Sequence, residues 1–280
     1  MSDGHSVVAG EAAGVPYAAM PPGALGEPGS APLIVGWHLN DPPRSAAALA
    51  AALPLAGVPA WRVFLDLPMH GRRQLPGGLQ EFMQLGYADA VLEAFEPQVS
   101  QAVAEFPAVL ADLRARLPVA DGPIGLLGAS IGALPAQLVM ADRLAQVSAA
   151  VLISPVIQLA EVVAANERRF GVTYPWTDAS REVAARFDLV ARAADIATAD
   201  PQPALLLVVG AKDDPAFSRQ CERLQAELDH RYSDGQRVTM TTIPDMSHAF
   251  AAEPGIEPEP QTPQARRIES AATEWFTRHL

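Results

Sequence analysis

The 280-residue sequence has a single cysteine, Cys221, and no leader-like pattern at its amino end. One thiol cannot form an intramolecular disulfide, and we interpret Cys221, which lies in a charged helical pattern, as a structural thiol. The longest apolar run, residues 147–163, is interrupted by Pro155, Gln158 and Glu161. It falls short of the roughly 20 apolar residues that span a bilayer. We therefore expect a soluble, cytoplasmic protein with no membrane partner.

Several chemical signatures are also missing. The sequence lacks a dinucleotide-binding Gly-x-Gly-x-x-Gly turn, a Gly-Lys-Ser/Thr phosphate loop and a cluster of His and Cys residues. These absences predict that the protein needs no organic cofactor and no metal. Its net charge is −12, and its 20 Lys and Arg residues are scattered without a basic stripe. Nucleic acid is therefore excluded as an expected partner.

Short apolar runs alternate with helical patterns along the chain. With 49% hydrophobic and 19% charged residues, it can build a large core. Strands are predicted at 31–37, 61–67, 123–128, 148–154, 203–210 and 236–243, and weaker segments at 5–9 and 15–20 would add an antiparallel edge. Helices are predicted at 45–56, 98–117, 131–145, 215–230 and 262–280. This order is typical of an α/β fold with a mostly parallel sheet and helices on both faces.

Two connections are much longer than the alternation requires. We interpret residues 1–280 as one domain in which segments 72–97 and 155–202 are insertions that form a lid or cap. Both segments carry aromatic residues, among them Tyr174 and Trp176. Such residues either line an apolar pocket for an acyl or alcohol group or pack within the core and lid. The acidic, proline-rich segment 253–264 is expected to be a solvated surface loop.

The sequence GASIG places Ser130 between two glycines, after a predicted strand and before a predicted helix. Ser130 could be no more than the N-cap of that helix. However, Gly-x-Ser-x-Gly in this context also permits the sharp turn that exposes a nucleophilic serine. Such a serine needs a base and an acid, which follow it in the order acid, then histidine, on this architecture. The rest of the chain must therefore supply both.

Candidate partners follow the later strands. Asp213 and Asp214 come after the strand at 203–210, and His248 follows the strand at 236–243. One of the two aspartates is expected to cap the next helix. His38 and His70 also stand at strand ends, but they precede the serine and fit an oxyanion or pocket position better than that of the base. These positions predict that Ser130, Asp213 and His248 meet at one edge of the sheet.

Together these residues resemble the α/β-hydrolase superfamily, and the run from Arg186 to Asp214 resembles its dienelactone-hydrolase and prolyl-oligopeptidase branch. The segment "WHLND" is similar to the family's His-Gly-x loop, which implies an oxyanion donor from Leu39 or Asn40. Ile131, directly after the serine, would supply the other donor. "GAKDDP" resembles the family's acid turn, which favours Asp213. "FLDLPMHGRR" resembles a turn in which Asp66 and His70 brace the loop.

The resemblance implies a serine hydrolase that cleaves a carboxylic ester of a small molecule through an acyl-enzyme. His248 would act as the general base and Asp213 would orient it. A thioesterase, lactonase, peptidase or acyltransferase would use the same residues. A binding protein that kept the fold and lost turnover is a further alternative, because Leu39 and Asp245 stand where the family more often has glycine.

Overall fold

The structure, a computed structural model, describes residues 7–22 and 31–280. Within these ranges, eight strands form one sheet. The strands are β1 (Val8–Ala12), β2 (Val15–Met20), β3 (Leu33–Trp37), β4 (Trp61–Leu65), β5 (Ile124–Ala129), β6 (Val147–Ile153), β7 (Ala204–Gly210) and β8 (Val238–Ile243). Their order across the sheet is β1-β2-β4-β3-β5-β6-β7-β8. β2 is antiparallel to both of its neighbours, and the pairs from β4 to β8 are parallel.

The same ranges contain nine α-helices. These are α1 (Ala46–Ala52), α2 (Gly78–Asp89), α3 (Glu96–Arg116), α4 (Ala133–Ala141), α5 (Leu159–Phe170), α6 (Asp178–Arg186), α7 (Ala193–Ala197), α8 (Pro215–Asp229) and α9 (Pro263–His279). Apolar clusters lie on both faces of the sheet, one with α3, α4 and α8 and the other with α1 and α9. The expected α/β sheet with helices on both faces is therefore confirmed. No helix in the described part of the chain is long and apolar enough to cross a membrane.

The differences from prediction lie at the ends of elements. The predicted strand at 5–9 appears as β1 at Val8–Ala12, and positions 5 and 6 lie outside the described residues. α1 ends at Ala52 instead of at residue 56 because Pro54 cannot continue a helix. The predicted helix at 131–145 is shortened to α4, because a 3-10 turn at Ser130–Gly132 precedes it.

The two long connections contact each other. The first contains α2 and a π-helical turn at Ala90–Phe95, and the second contains α5, α6 and α7. The Tyr174 hydroxyl donates to Asp89, and Arg186 Nη2 lies 2.7 Å from Glu96 Oε1. These contacts join the two segments at residues that are far apart in the sequence.

Parallel strands bring their following loops to one edge of the sheet. Ser130 follows β5, while Asp213 and His248 follow β7 and β8. The loop beginning at His38 follows β3, which is the neighbour of β5 on the other side. This edge is where ligands bind in open α/β sheets.

Candidate active site

Both glycines of the GASIG motif are required by close backbone contacts. A Cβ atom at position 128 would lie 2.5 Å from the Ala133 Cα, so the turn could not close. A Cβ atom at position 132 would lie 2.3 Å from the carbonyl oxygen of His38. The second glycine therefore lets the loop after β3 approach the serine turn. Ser130 itself has φ +50°, a strained backbone conformation for a residue with a side chain.

Ser130, His248 and Asp213 form one hydrogen-bonded chain. The Ser130 Oγ atom lies 2.7 Å from His248 Nε2, and His248 Nδ1 lies 3.0 Å from Asp213 Oδ2. An ionised carboxylate can only accept, so His248 Nδ1 carries the ring proton and Nε2 is free to accept from the serine hydroxyl. This arrangement can remove the proton from the serine during nucleophilic attack.

The Asp213 carboxylate is enclosed, while the histidine ring remains partly accessible. Their side chains are 3% and 20% exposed, respectively. The Asp214 N–H donates to Asp213 Oδ1 at 2.7 Å, and the His248 ring packs on Phe217. The loops that carry the two residues are joined because the Lys212 N–H donates to the Met246 carbonyl oxygen at 2.8 Å.

Asp213, and not Asp214, faces the histidine. The Asp214 side chain instead accepts from the Ala216 N–H at 2.8 Å and caps α8, as predicted for one member of the pair. Asp214 is also the more exposed of the two, with 39% of its side chain accessible.

The two candidate oxyanion donors in the loop after β3 differ. Leu39 is buried and its N–H donates to the Pro43 carbonyl oxygen at 3.3 Å. The Asn40 N–H has no hydrogen-bond acceptor within 7–22 or 31–280. Ile131 is buried and directly follows Ser130 in the turn. Of the two loop donors, Asn40 is therefore the one that is available to a ligand.

His38 and His70, which were expected at an oxyanion or pocket position, lie in the interior of the protein. His38 is fully buried; its Nδ1 lies 2.7 Å from the Leu39 carbonyl oxygen, and its Nε2 accepts from the Leu67 N–H at 3.1 Å. Burial lowers the pKa of His38 to about 4. Burial, followed by the charge of the neighbouring His38, lowers the pKa of His70 to about 3. Both rings are therefore neutral braces inside the protein.

Asp66 braces the same region, as the resemblance implied. Its carboxylate accepts from the backbone N–H groups of Ala46 and Arg72, at 2.7 and 3.0 Å. Burial raises the pKa of Asp66, although both of these hydrogen bonds act in the opposite direction. Gly71, with φ +56°, is needed here because a Cβ atom would lie 2.1 Å from Asp66 Oδ1.

Tyr174 and Trp176 form a T-shaped pair with ring centroids 4.9 Å apart. Burial, then the hydrogen bond with Asp89, raises the pKa of Tyr174 to about 12, so its hydroxyl stays protonated. Both rings pack against the large apolar cluster that contains α3 and α4. Tyr174 contacts the first long connection through Asp89, whereas Trp176 contacts Tyr174 and Arg181 within the second.

Sequence reasoning missed residues that hold the loop after β3. The Arg44 Nε donates to the Asn40 carbonyl oxygen at 2.9 Å, and its guanidinium pairs with Glu253 at 2.7 Å. The Arg44 N–H also donates to the Gly255 carbonyl oxygen at 2.6 Å. Most of segment 253–264 is an exposed loop as predicted, although Gly255 is buried and α9 begins at Pro263. Its first residues anchor the loop after β3. The only sequence signal was their position shortly after His248.

Two further missed residues are Asp41 and Gln98. The Asp41 carboxylate is half-exposed and lies 4.0 Å from His248 Nε2, beside the serine. Gln98 is fully buried in α3 and hydrogen-bonds to the side chain of Asn40. Asp41 ends the WHLND segment, to which only its oxyanion donors were assigned, and Gln98 belongs to no local motif.

A partly open cavity of about 220 Å³ lies elsewhere. It is at the amino ends of β5, β6 and β7, the edge of the sheet opposite Ser130. Its lining residues are Pro123, Met140, Arg143, Ala145, Gln146, Val147, Ala199, Asp200, Pro201 and Pro203. No side chain of the Ser130 site contributes to it.

A sequence model described as the prolyl oligopeptidase family matches residues 99–278. This range includes Ser130, Asp213 and His248 and ends before the last two residues of the chain. A search of curated protein sequences gives no match.

Solved structures share the fold at low sequence identity. TT1662 from Thermus thermophilus is 17% identical with a TM-score of 0.63, over 97% of this chain and 98% of that one. Carboxyl esterase 2 from Tuber melanosporum is 16% identical with a TM-score of 0.56, over 98% and 86%. The acylaminoacyl peptidase of Pyrococcus horikoshii is 13% identical with a TM-score of 0.62, and this chain spans only 41% of it. The shared fold therefore includes both esterases and peptidases.

Proposed function

Because the chain belongs to the prolyl oligopeptidase family of serine hydrolases, we propose that it cleaves carboxylic esters of small molecules through an acyl-enzyme on Ser130. The observation that carries this proposal is the hydrogen-bonded chain of Ser130, His248 and Asp213. The Ser130 Oγ lies 2.7 Å from His248 Nε2, which is the distance a general base requires.

The proposed reaction has two steps. As the Ser130 Oγ attacks the ester carbonyl, His248 accepts its proton and Asp213 stabilises the resulting imidazolium. The tetrahedral intermediate collapses, His248 returns the proton to the departing alcohol, and the acyl group stays on Ser130. Water, which loses its proton to His248, then attacks the acyl-enzyme, and the acid leaves as the serine recovers its proton.

The negative oxygen of the intermediate needs two donors in fixed positions. We assign this role to the N–H groups of Ile131 and Asn40. Leu39 is the weaker candidate, since its N–H already donates to the Pro43 carbonyl oxygen at 3.3 Å. Removal of one such donor typically lowers kcat by about 10² to 10³.

The two long connections, 72–97 and 155–202, are proposed as the cap of this site. The contacts Tyr174–Asp89 and Arg186–Glu96 support this assignment because they make the two segments one connected unit. The cap would then restrict the substrate to a small molecule or a short chain.

A peptidase is the second candidate, because the matching family is named for a peptidase. Ester and peptide bonds differ in their leaving groups, an alcohol and a less acidic amine, and the same three residues serve both. The family alone does not choose between them. Thioesters, lactones and acyl transfer to an acceptor other than water remain open on the same residues.

Turnover measurements test this proposal. Purified protein is assayed with p-nitrophenyl acetate and butyrate and with aminoacyl and prolyl p-nitroanilides, beside Ser130→Ala. Ser154→Ala is a matched control, since Ser154 directly follows a strand, is buried and has a positive φ of 40°, but its hydroxyl has no hydrogen-bond partner in the described residues. We expect ester turnover that only Ser130→Ala abolishes. Faster anilide hydrolysis would favour the peptidase, and no turnover by folded protein would contradict both.

A further inference from the structure

We propose that Gln98 is a positioning residue for oxyanion stabilisation, because its buried side chain fixes the loop that presents the Asn40 N–H. This inference rests on the proposed function, in which Asn40 donates to the oxyanion. Gln98 lies in α3, 58 residues from Asn40 in the sequence, and is fully buried. It acts through Asn40 and is not placed against the substrate.

The Asn40 and Gln98 side chains form a reciprocal amide pair. Asn40 Nδ2 donates to Gln98 Oε1 at 3.0 Å, and Gln98 Nε2 donates to Asn40 Oδ1 at 2.9 Å. Two parallel hydrogen bonds fix the rotation of an amide as well as its position. The side chain of Asn40 is therefore held against α3 in one orientation.

The surroundings of Gln98 determine which way its amide points. The Pro68 carbonyl oxygen, which can only accept, lies 3.2 Å from Gln98 Nε2. His70 Nδ1 lies 2.9 Å from the same nitrogen, so three acceptors, Asn40 Oδ1, the Pro68 oxygen and this ring nitrogen, share the two N–H groups of the amide. The His70 ring proton then sits on Nε2, which is buried and has no hydrogen-bond partner in the described residues. A neutral ring is needed for this, and burial of His70 provides it. A reversed amide would place its oxygen against the Pro68 oxygen, so this contact favours the orientation in which Gln98 Nε2 faces Pro68.

The backbone of Asn40 is held from a second side. Its carbonyl oxygen accepts from Arg44 Nε at 2.9 Å, while its N–H has no acceptor in the part of the chain that the structure describes. The loop is thus fixed at the side chain and the carbonyl, and only the N–H is left free. A donor that is fixed before the substrate binds stabilises an oxyanion without reorganisation.

Packing alone does not require glutamine at position 98. A buried amide loses its water on folding, and the hydrogen bonds that replace the water give little net stability. Methionine has a similar length and fills an apolar site without hydrogen bonds. Gln98→Met therefore removes the amide pair while it preserves most of the volume.

The test compares Gln98→Met with Gln101→Met, an exposed position one turn further along α3. The measurements are kcat and KM for p-nitrophenyl butyrate, and the inhibition constant of a phenylboronic acid. The boronic acid forms a tetrahedral adduct with a reactive serine and so reports on the oxyanion donors. For Gln98→Met we expect kcat to fall about 10- to 100-fold, somewhat less than for a donor that is removed outright. KM should stay within about twofold, boronate binding should weaken by the same factor as kcat, and Gln101→Met should match the wild type.

Asn40→Ala breaks the pair from its more exposed end and keeps the backbone N–H. It should show a similar loss of kcat, and the double variant should be no worse than the worse single one, since both changes act on one pair. If Gln98→Met does not fold, Asn40→Ala decides: unchanged kcat would overturn the proposal. Additive losses, or a folded Gln98→Met with wild-type kcat and boronate binding, would overturn it while ester hydrolysis stands. Absence of turnover in the wild type would instead remove the proposed function and this inference together.

Discussion

Replacement of Gly132 by alanine adds one methyl group between the serine turn and the loop that follows β3. The new Cβ atom would lie 2.3 Å from the His38 carbonyl oxygen and 2.7 Å from that of Trp37. Ordinary contacts of this kind begin at 3.4 Å, so the two backbone segments must separate by 3.4 − 2.3 = 1.1 Å. Neither carbonyl can swing away as the end of a flexible side chain would.

This separation moves the Asn40 N–H away from Ser130. A misplacement of about 1 Å in a catalytic group costs on the order of 10²-fold in rate. We therefore expect Gly132→Ala to lower kcat for p-nitrophenyl butyrate about 100-fold. The overpacking should also reduce the free energy of unfolding by about 1–3 kcal/mol, which for a chain of this size lowers Tm by roughly 2–5 °C.

Gly125→Ala separates the catalytic effect from the loss of stability. Its Cβ atom would lie 2.9 Å from Ile34 Cγ1 and 3.0 Å from Phe276 Cε1, at the amino end of β5 and away from Ser130. It should therefore lower Tm and leave kcat unchanged, as measured by steady-state kinetics and thermal unfolding on both variants. A folded Gly132→Ala protein with wild-type kcat would refute the argument that close approach of this loop builds the oxyanion site.

Three further predictions follow from the site. Asp213→Asn should lower kcat about 10⁴-fold because an amide no longer holds the required imidazole tautomer of His248. Asp214→Asn should leave kcat nearly unchanged because asparagine also caps helices. Steady-state kinetics on both variants distinguish the two residues. Burial lowers the pKa of His38 to about 4 and that of His70 to about 3. Below the ordinary histidine pKa of about 6.5, the unfolded chain therefore binds more protons than the folded protein. The contribution of the two neutral rings to the free energy of unfolding is complete above pH 6.5 and is lost as the pH falls towards 4 for His38 and towards 3 for His70. The loss is about 1.4 kcal/mol per pH unit for each histidine. Urea unfolding at pH 7 and pH 5 measures this loss, and equal stability at both values would contradict it. The half-exposed Asp41 carboxylate lies 4.0 Å from the Nε2 atom of the proposed base, His248. Asp41→Asn should therefore reduce the ratio of kcat/KM for a cationic ester to that for a matched neutral ester about fivefold. This factor corresponds to about 1 kcal/mol of Coulomb energy in water.

Local patterns were sufficient to predict the sheet and the nucleophile turn. Buried parallel strands appear as continuous apolar runs, and each of the six main runs became a strand. Ser130 was identifiable because Gly128 and Gly132 each lie two residues from it in the sequence. Gly128 is required by the turn itself, whereas Gly132 is required by contact with the distant His38 carbonyl oxygen. The ends of elements were less accurate, as at α4, where the serine turn occupies the first residues predicted to be helical.

Contacts between distant segments were not predictable in the same way. The pairs Asn40–Gln98 and Arg44–Glu253 join residues 58 and 209 positions apart, and no periodicity reports such contacts. The interior position of His38 and His70 was not predictable either. A histidine at a strand end has the same sequence signature whether it faces a ligand or the interior. The surroundings of the ring decide this, as where Phe82 of α2 and Gln98 of α3 contact His70.

The central claim is that Ser130 is a nucleophile activated by His248. The most direct measurement is intact-mass and peptide analysis of the protein after exposure to a fluorophosphonate, with Ser130→Ala and Ser154→Ala treated in parallel. We expect one adduct, mapped to Ser130, which is lost in Ser130→Ala and retained in Ser154→Ala together with ester turnover. A folded wild-type protein that forms no adduct, or forms it at another serine, would contradict the account.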